Sequence, residues 1–159
     1  MNTKWQQRFM EMAFLCASWS KDPSSKVGAV ITQGNRIVSQ GFNGYPHGVT
    51  DNPDNPRELK YQLTIHAEAN ALLHSKRDLT GCSIFATHYP CPNCTAMIIQ
   101  SGITHIYVPE QNDDFLSRWS DQIAVSNTMI DEVGIVVTEV AGFAESNQKT
   151  SCSCKANKK

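Results

Sequence analysis

Two short segments of this chain carry residues that can do chemistry together: His66-Ala67-Glu68 and Pro90-Cys91-Pro92-Asn93-Cys94. One imidazole and two thiolates are three zinc ligands, and a tetrahedral zinc with three protein ligands keeps its fourth position for water. Glu68 stands two residues beyond the histidine, near a metal held there but outside the ligand set. A carboxylate in that place can move protons between water and a substrate. Cys-x-x-Cys alone also fits a structural zinc knuckle, a redox pair or two buried thiols. A structural zinc closes its shell with four ligands, and His88, His74 and Cys82 are the nearby candidates for the fourth. A thioredoxin-like redox motif matches the spacing but leaves His66 and Glu68 without a task. The full pattern of histidine, glutamate at plus two, proline before the first cysteine and a two-residue gap favours a catalytic zinc.

The elements that must position these residues are legible in outline. Residues 3–20 read as a helix, with an apolar stripe at Trp5, Phe9, Met12, Phe14, Leu15, Cys16 and Trp19 that packs against a sheet. Asp22-Pro23-Ser24-Ser25 breaks it. Residues 26–32 and 36–42 read as two antiparallel strands around a turn at Gln33-Gly34-Asn35. A glycine-rich loop follows over 43–48, then a surface loop over 51–57. Residues 58–65 lead into a helix from about His66 to Leu73, and 81–87 form a third strand. A helix from Cys91 or Pro92 to Gln100 stops at Ser101-Gly102. Strands at 104–108 and 135–140 flank a helix over 116–133, so strands four and five are parallel neighbours joined by a crossover. If the two motif helices start at the same edge of the sheet, His66, Cys91 and Cys94 converge. Helix N-termini there add positive potential that favours thiolate, and Pro92 suits a first turn because it has no N–H to lose.

Composition bounds the class. The chain has 159 residues, 40% hydrophobic and 18% charged, which suits one globular domain with an adequate core. No run approaches the ~18–20 apolar residues of a membrane span, and residues 1–19 lack the pattern of a secretory signal. Two of six cysteines belong to the metal motif, and Cys16 and Cys82 sit in apolar surroundings, so a reducing cytoplasm is expected. Of 14 Lys and Arg, four fall in the last eleven residues, where none of the 15 acids lies; the first 148 residues therefore carry a net −5. An acidic body is a poor footprint for a polynucleotide, so RNA and DNA are not expected partners, while a small anionic substrate needs only a local cluster of donors.

The H-x-E…P-C-x-x-C arrangement is the signature of zinc nucleobase deaminases. The chain resembles the cytidine deaminase superfamily over about residues 8–140, and within it the deoxycytidylate (dCMP) deaminases. The resemblance rests on residues 22–31 (DPSSKVGAVI), on 41–49 (GFNGYPHGV), on 66–71 (HAEANA), and on 90–94 (PCPNC) running into 99–103 (IQSGI). It implies an α/β fold of three layers, α-β-α, around a five-stranded mixed sheet. It implies one catalytic Zn2+ on His66, Cys91 and Cys94, with Glu68 as the proton shuttle in converting dCMP to dUMP and ammonia for thymidylate synthesis. The metal would lower the pKa of its water toward ~7. The Ala67 N–H would bond the pyrimidine edge and Asn43 the sugar. Ser24, Ser25 and Lys26 are candidates for the phosphate, with His47 and Arg57 as further contributors.

Some relatives of this kind carry an insertion before the His-Ala-Glu motif, in some cases with extra Cys or His for a second, structural zinc; residues 50–65 are short and offer no Cys or His, so one zinc is expected. Relatives are also hexamers activated by dCTP and inhibited by dTTP, which makes those nucleotides candidate effectors and a homo-oligomer, dimer or hexamer, the expected state. Trp119 and Phe115 are candidates for an interface or for the core. The deaminase domain is assigned to residues 1–142. Residues 143–159, with Cys152 and Cys154, read as a disordered basic tail. Other small cytosine compounds (a modified dCMP, cytidine), a riboflavin-pathway intermediate, a tRNA adenosine, or a structural zinc module are the competing readings.

Overall fold

The computed structural model describes residues 1–52 and 54–143. The tail from 144 onward, Cys152 and Cys154 included, lies outside the described residues. Ten elements follow one another: α1 (Thr3–Ser18), β1 (Gly28–Gln33), β2 (Arg36–Phe42), α2 (Arg57–Leu63), α3 (Ala67–His74), β3 (Ser83–Ala86), α4 (Pro92–Gln100), β4 (His105–Pro109), α5 (Asp113–Val133) and β5 (Val136–Val140). The strands form one sheet in the order β2-β1-β3-β4-β5. β1 is antiparallel to both β2 and β3, whereas β3, β4 and β5 run parallel. The expected mixed five-stranded sheet is present, and its parallel part extends one strand further than the β4–β5 pair.

Successive side chains on the inner strands serve opposite faces, as the period of two requires. Ala29, Ile31, Ile84, Ile106 and Val108 face one core with Ala67 and Ala71 of α3, Ile98 of α4 and Ile130 of α5. Val30, Phe85 and Tyr107 face a second core with Phe9, Met10, Ala13 and Cys16 of α1. The sheet is thus covered on both sides, and the three-layer expectation holds.

Where the elements differ from the sequence reading, local chemistry explains it. α1 buries Phe9, Met10, Ala13, Cys16 and Ala17, while Leu15 and Trp19 are 50% and 46% exposed. The small alanines bring the helix backbone onto Gly28, where a Cβ would lie 2.0 Å from the Ala13 carbonyl oxygen. Trp19 instead sits edge-on to Phe42 at 6.1 Å. α2, in a stretch read as loop and lead-in, buries nothing, so no apolar periodicity announced it. α5 begins at Asp113 rather than 116: Asn112 caps it by accepting the Phe115 N–H at 2.8 Å, and two aspartates occupy its positive first turn.

α3 lies against β2 at Gly41. A Cβ there would meet the Ala67 carbonyl oxygen and the Ala71 nitrogen, each at 2.4 Å, and the Ser39 hydroxyl donates to the Ala71 carbonyl at 2.6 Å. Gly41→Ala forces the helix off the strand and is expected to cost about 2 kcal/mol or more in urea unfolding; unchanged stability would contradict this packing. Beyond the end of β3, burial holds the His88 imidazole down to about 4, with its ring 5.8 Å from that of Phe115. His88 is therefore neutral in the folded protein between pH 4 and 6.5, while the unfolded chain takes up a proton there. Its contribution to stability is complete above pH 6.5 and is lost as pH falls toward 4, by up to about 2–3 kcal/mol. Urea midpoints of wild type and His88→Leu between pH 7.5 and 4.5 should diverge in that window, with the variant showing the shallower pH dependence.

Candidate active site

The mixed sheet brings the chemistry to one edge. β3 and β4 are parallel and β1 opposes β3, so the C-terminal ends of β3 and β4 lie beside the start of β1 and the end of β2. Loops 22–27, 43–46, 87–91 and 110–112 all leave from this edge, the usual binding edge of sheets with parallel strands.

His66 is the N-cap of α3 and Cys91 the N-cap of α4, both in extended backbone. His66 Nδ1 lies 3.5 Å from Cys91 Sγ and 3.5 Å from Cys94 Sγ, and the three donor atoms fall within 4.8 Å of one another. A tetrahedral zinc with ordinary bonds to sulfur and nitrogen holds such donors about 3.6 Å apart. The donor set and its spacing therefore fit zinc, with the histidine presenting Nδ1. Exposure is graded across the cluster, from exposed His66 through Cys91 to buried Cys94, which leaves the histidine side open.

None of the candidate fourth ligands joins. His88 Nδ1 contacts Thr87 Oγ1 at 3.2 Å, His74 Nδ1 bonds the Asn70 carbonyl at 2.8 Å, and Cys82 is buried ahead of β3, at the other end of the strand from Cys91. Among the described residues the cluster has three donors, the number that distinguishes a catalytic from a closed structural site. The described cysteines are free thiols.

Without metal, the two sulfurs share a proton. The hydrogen bond from the Cys94 thiol lowers Cys91 to about 4, and the bond to His66 helps against burial. The same sharing, with burial, pushes Cys94 up, and the bond to Cys91 raises His66. A metal takes the place of these protons. Glu68 is 3% exposed. Burial pushes its carboxyl up, opposed by its own N–H, by the His66 charge and by a hydrogen bond from Cys94. A buried carboxyl whose proton affinity is raised in this way is suited to holding and releasing a proton.

The other predicted residues fall at the same edge with more varied surroundings. Ala67 is fully buried and opens α3, so its N–H has no acceptor within the helix. Asn43 is a buried clip: its Oδ1 accepts the Val27 N–H at 2.8 Å and its Nδ2 donates to the Ser25 carbonyl at 2.8 Å, which leaves one N–H and one lone pair for a ligand. Ser24, Ser25 and Lys26 are exposed. The Ser24 hydroxyl is engaged with Asp22 at 2.8 Å, and both serine N–H groups bond the same carboxylate. Although burial opposes its charge, those bonds and the Lys60 ammonium hold Asp22 below the usual range. Lys26 Nζ reaches the Ser18 carbonyl at 3.4 Å. Arg57 lies over its own neighbour Tyr61, with Nε donating to the phenol at 2.7 Å, and His47 is exposed. A groove of about 450 Å³ between Trp19, Phe42, Asn70 and His74 lies along β2 and includes none of the metal donors.

Sequence reasoning missed the residues that hold the metal loop from behind. Ser126 and Thr95 hydroxyls donate to the Pro90 carbonyl, and the Tyr89 phenol donates to Asn127. Their spacing along the chain carries no signal, because only the fold brings α5 to residue 90.

A family model described as the cytidine and deoxycytidylate deaminase zinc-binding region matches residues 3–110. The chain is 61% identical over 139 residues to an "uncharacterized deaminase in luxG 3′ region" of Aliivibrio fischeri, covering 87% of this chain and 95% of that protein. It is 34% identical over 142 residues to the deoxycytidylate deaminase of Homo sapiens, covering 83% and 77%. Among solved structures, the dCMP deaminase of cyanophage S-TIM5 in complex with dCMP and dUMP aligns with a TM-score of 0.73 at 29% identity, covering 87% of this chain and 98% of that one. The matched stretch takes in every donor of the cluster and the two helix starts that carry them, so the chain belongs to the cytidine and deoxycytidylate deaminase family.

Proposed function

We propose that this protein hydrolyses dCMP to dUMP and ammonia, with one zinc on His66, Cys91 and Cys94 and with Glu68 as the proton carrier. The observation that carries the reading is the three-donor cluster, spaced for zinc and open on one side, with a buried carboxyl beside it. The choice of dCMP is supported by the relatives named deoxycytidylate deaminase and by the cyanophage enzyme solved with dCMP and dUMP.

Zinc bound there supplies a Lewis acid that makes hydroxide available near neutral pH. The protein's residues do the rest. As oxygen adds to C4 of the cytosine, Glu68 takes one proton from the attacking water and delivers it to ring N3. It then carries the second proton to the exocyclic amine, the C4–N bond breaks, ammonia leaves and a uracil ring remains. The buried position of Glu68 keeps bulk water from competing for these protons. The free N–H of Ala67 is assigned to the pyrimidine edge, and the remaining amide capacity of Asn43 to the sugar. Of the three phosphate candidates, Ser25 and Lys26 are the better placed, since the Ser24 hydroxyl is already bonded to Asp22. The net acidic body leaves a mononucleotide a better fit than RNA. Cytoplasmic residence, a homo-oligomeric state and control by dCTP and dTTP complete the reading; no helix among the described residues is long and apolar enough to cross a membrane.

The test is ultraviolet-monitored deamination of dCMP, CMP, deoxycytidine, dCTP and 5-methyl-dCMP. Rapid loss of dCMP with little of the others is expected, and turnover of deoxycytidine at an equal rate would remove the phosphate from the reading. Adding dCTP or dTTP to the dCMP reaction reads out regulation directly. Glu68→Gln should lower kcat by about 10²–10⁴-fold while retaining one zinc per chain by elemental analysis. Chelation should abolish turnover and added zinc restore it.

A further inference from the structure

The segment that delivers Cys91 is held from outside by α5. Tyr89 and Pro90 immediately precede the cysteine, and Pro90 has no N–H with which to anchor itself. Its carbonyl instead accepts two hydroxyls, Ser126 Oγ at 3.0 Å and Thr95 Oγ1 at 3.3 Å. Both of those side chains are 0% exposed. One residue earlier, the Tyr89 phenol donates to Asn127 Oδ1. α5 has 21 residues, of which two are buried, Ser126 and Ile130. Ile130 belongs to the apolar core; Ser126 is a hydroxyl placed where helix packing by itself favours an apolar group. A buried hydroxyl is tolerated when it is bonded, and this one is spent on the carbonyl next to Cys91.

The geometry converts that bond into control of a sulfur. The Pro90 carbonyl and the nitrogen and Cα of Cys91 share one planar peptide. Fixing the direction of the carbonyl fixes the plane from which the Cys91 side chain leaves. As the N-cap of α4, Cys91 joins the helical ladder only through its carbonyl, which accepts the Thr95 N–H at 2.8 Å, so the peptide that precedes it is held by other contacts. We propose that Ser126 and Asn127 are positioning residues of the metal centre, holding the Tyr89–Pro90 backbone so that Cys91 Sγ stays within zinc-sharing distance of His66 Nδ1. This rests on the ligand roles proposed above.

Cobalt(II) titration of the metal-free full chain tests it, read by thiolate-to-cobalt charge transfer and d–d absorption. Wild type should give both bands. Ser126→Ala and Asn127→Ala should bind cobalt about 10–100-fold more weakly, the usual cost of removing a group that orients a ligand, with altered d–d intensity and unchanged circular dichroism of the metal-free protein. Asn127→Asp keeps an acceptor for Tyr89 and should recover wild-type affinity. Should Ser126→Ala fail to fold, the half-buried Asn127 variants carry the test. Unaltered affinity and spectra in the variants would overturn the positioning role alone, as would failure of Asn127→Asp to recover what Asn127→Ala loses. Absence of thiolate–cobalt absorption in wild type would overturn the ligand assignment and the positioning role with it.

Discussion

The reactive centre depends on how closely α3 lies against the sheet. His66 and Cys91 are N-cap residues of two different helices with no covalent tie between them, yet their donor atoms stand 3.5 Å apart. Such a separation tolerates little error, since a zinc site is satisfied only within a few tenths of an ångström. Gly41 removes the side chain that would otherwise prop α3 away from β2, and the Ser39 hydroxyl ties the Ala71 carbonyl to the same strand. Gly28 does the same for α1 on the opposite face. Rigid helix-to-sheet packing thus sets the distance across which the metal is shared, and the loops serve to deliver ligands into a frame already fixed.

The protein places polar groups in its interior where that frame meets the chemistry. Glu68, Asn43, Thr87, Thr95 and Ser126 are all buried, and each lies on or beside a loop at the reactive edge. Burying them is unfavourable without partners, and the partners are specific: Asn43 joins residues 25 and 27 through both ends of its amide, and Thr87 accepts the Gly28 N–H. Thr95 and Ser126 converge on one carbonyl. Glu68 is buried beside the His66 and Cys94 side chains, where burial raises its carboxyl. The network stiffens the edge of the sheet around this buried carboxyl.

Much of this was written locally in the chain. His66-Ala67-Glu68 and Pro90-Cys91-Pro92-Asn93-Cys94 name their chemistry because metal ligation demands residue types at spacings one helical start can supply. β1, β3 and β4 announce themselves as short apolar runs bounded by turn residues such as Gly34, because inner strands covered on both faces bury nearly every side chain. Even the α5 boundary was available, since Asn112-Asp113-Asp114 is an N-cap followed by first-turn acids. α2 was not, because a helix that buries nothing has no apolar period to read.

What the sequence by itself determined was the three-donor cluster, the carboxyl two residues from its histidine and the elements that bear them, all properties of residues near one another along the chain. Tertiary structure alone decided that β3 joins the parallel set, that no fourth ligand among the described residues reaches the cluster, that Asn43 spends most of its amide on the scaffold, and that Ser126 and Asn127 stand behind Cys91. These are contacts between residues tens of positions apart, fixed by which faces the sheet and helices bury against each other, and no local period or spacing encodes them.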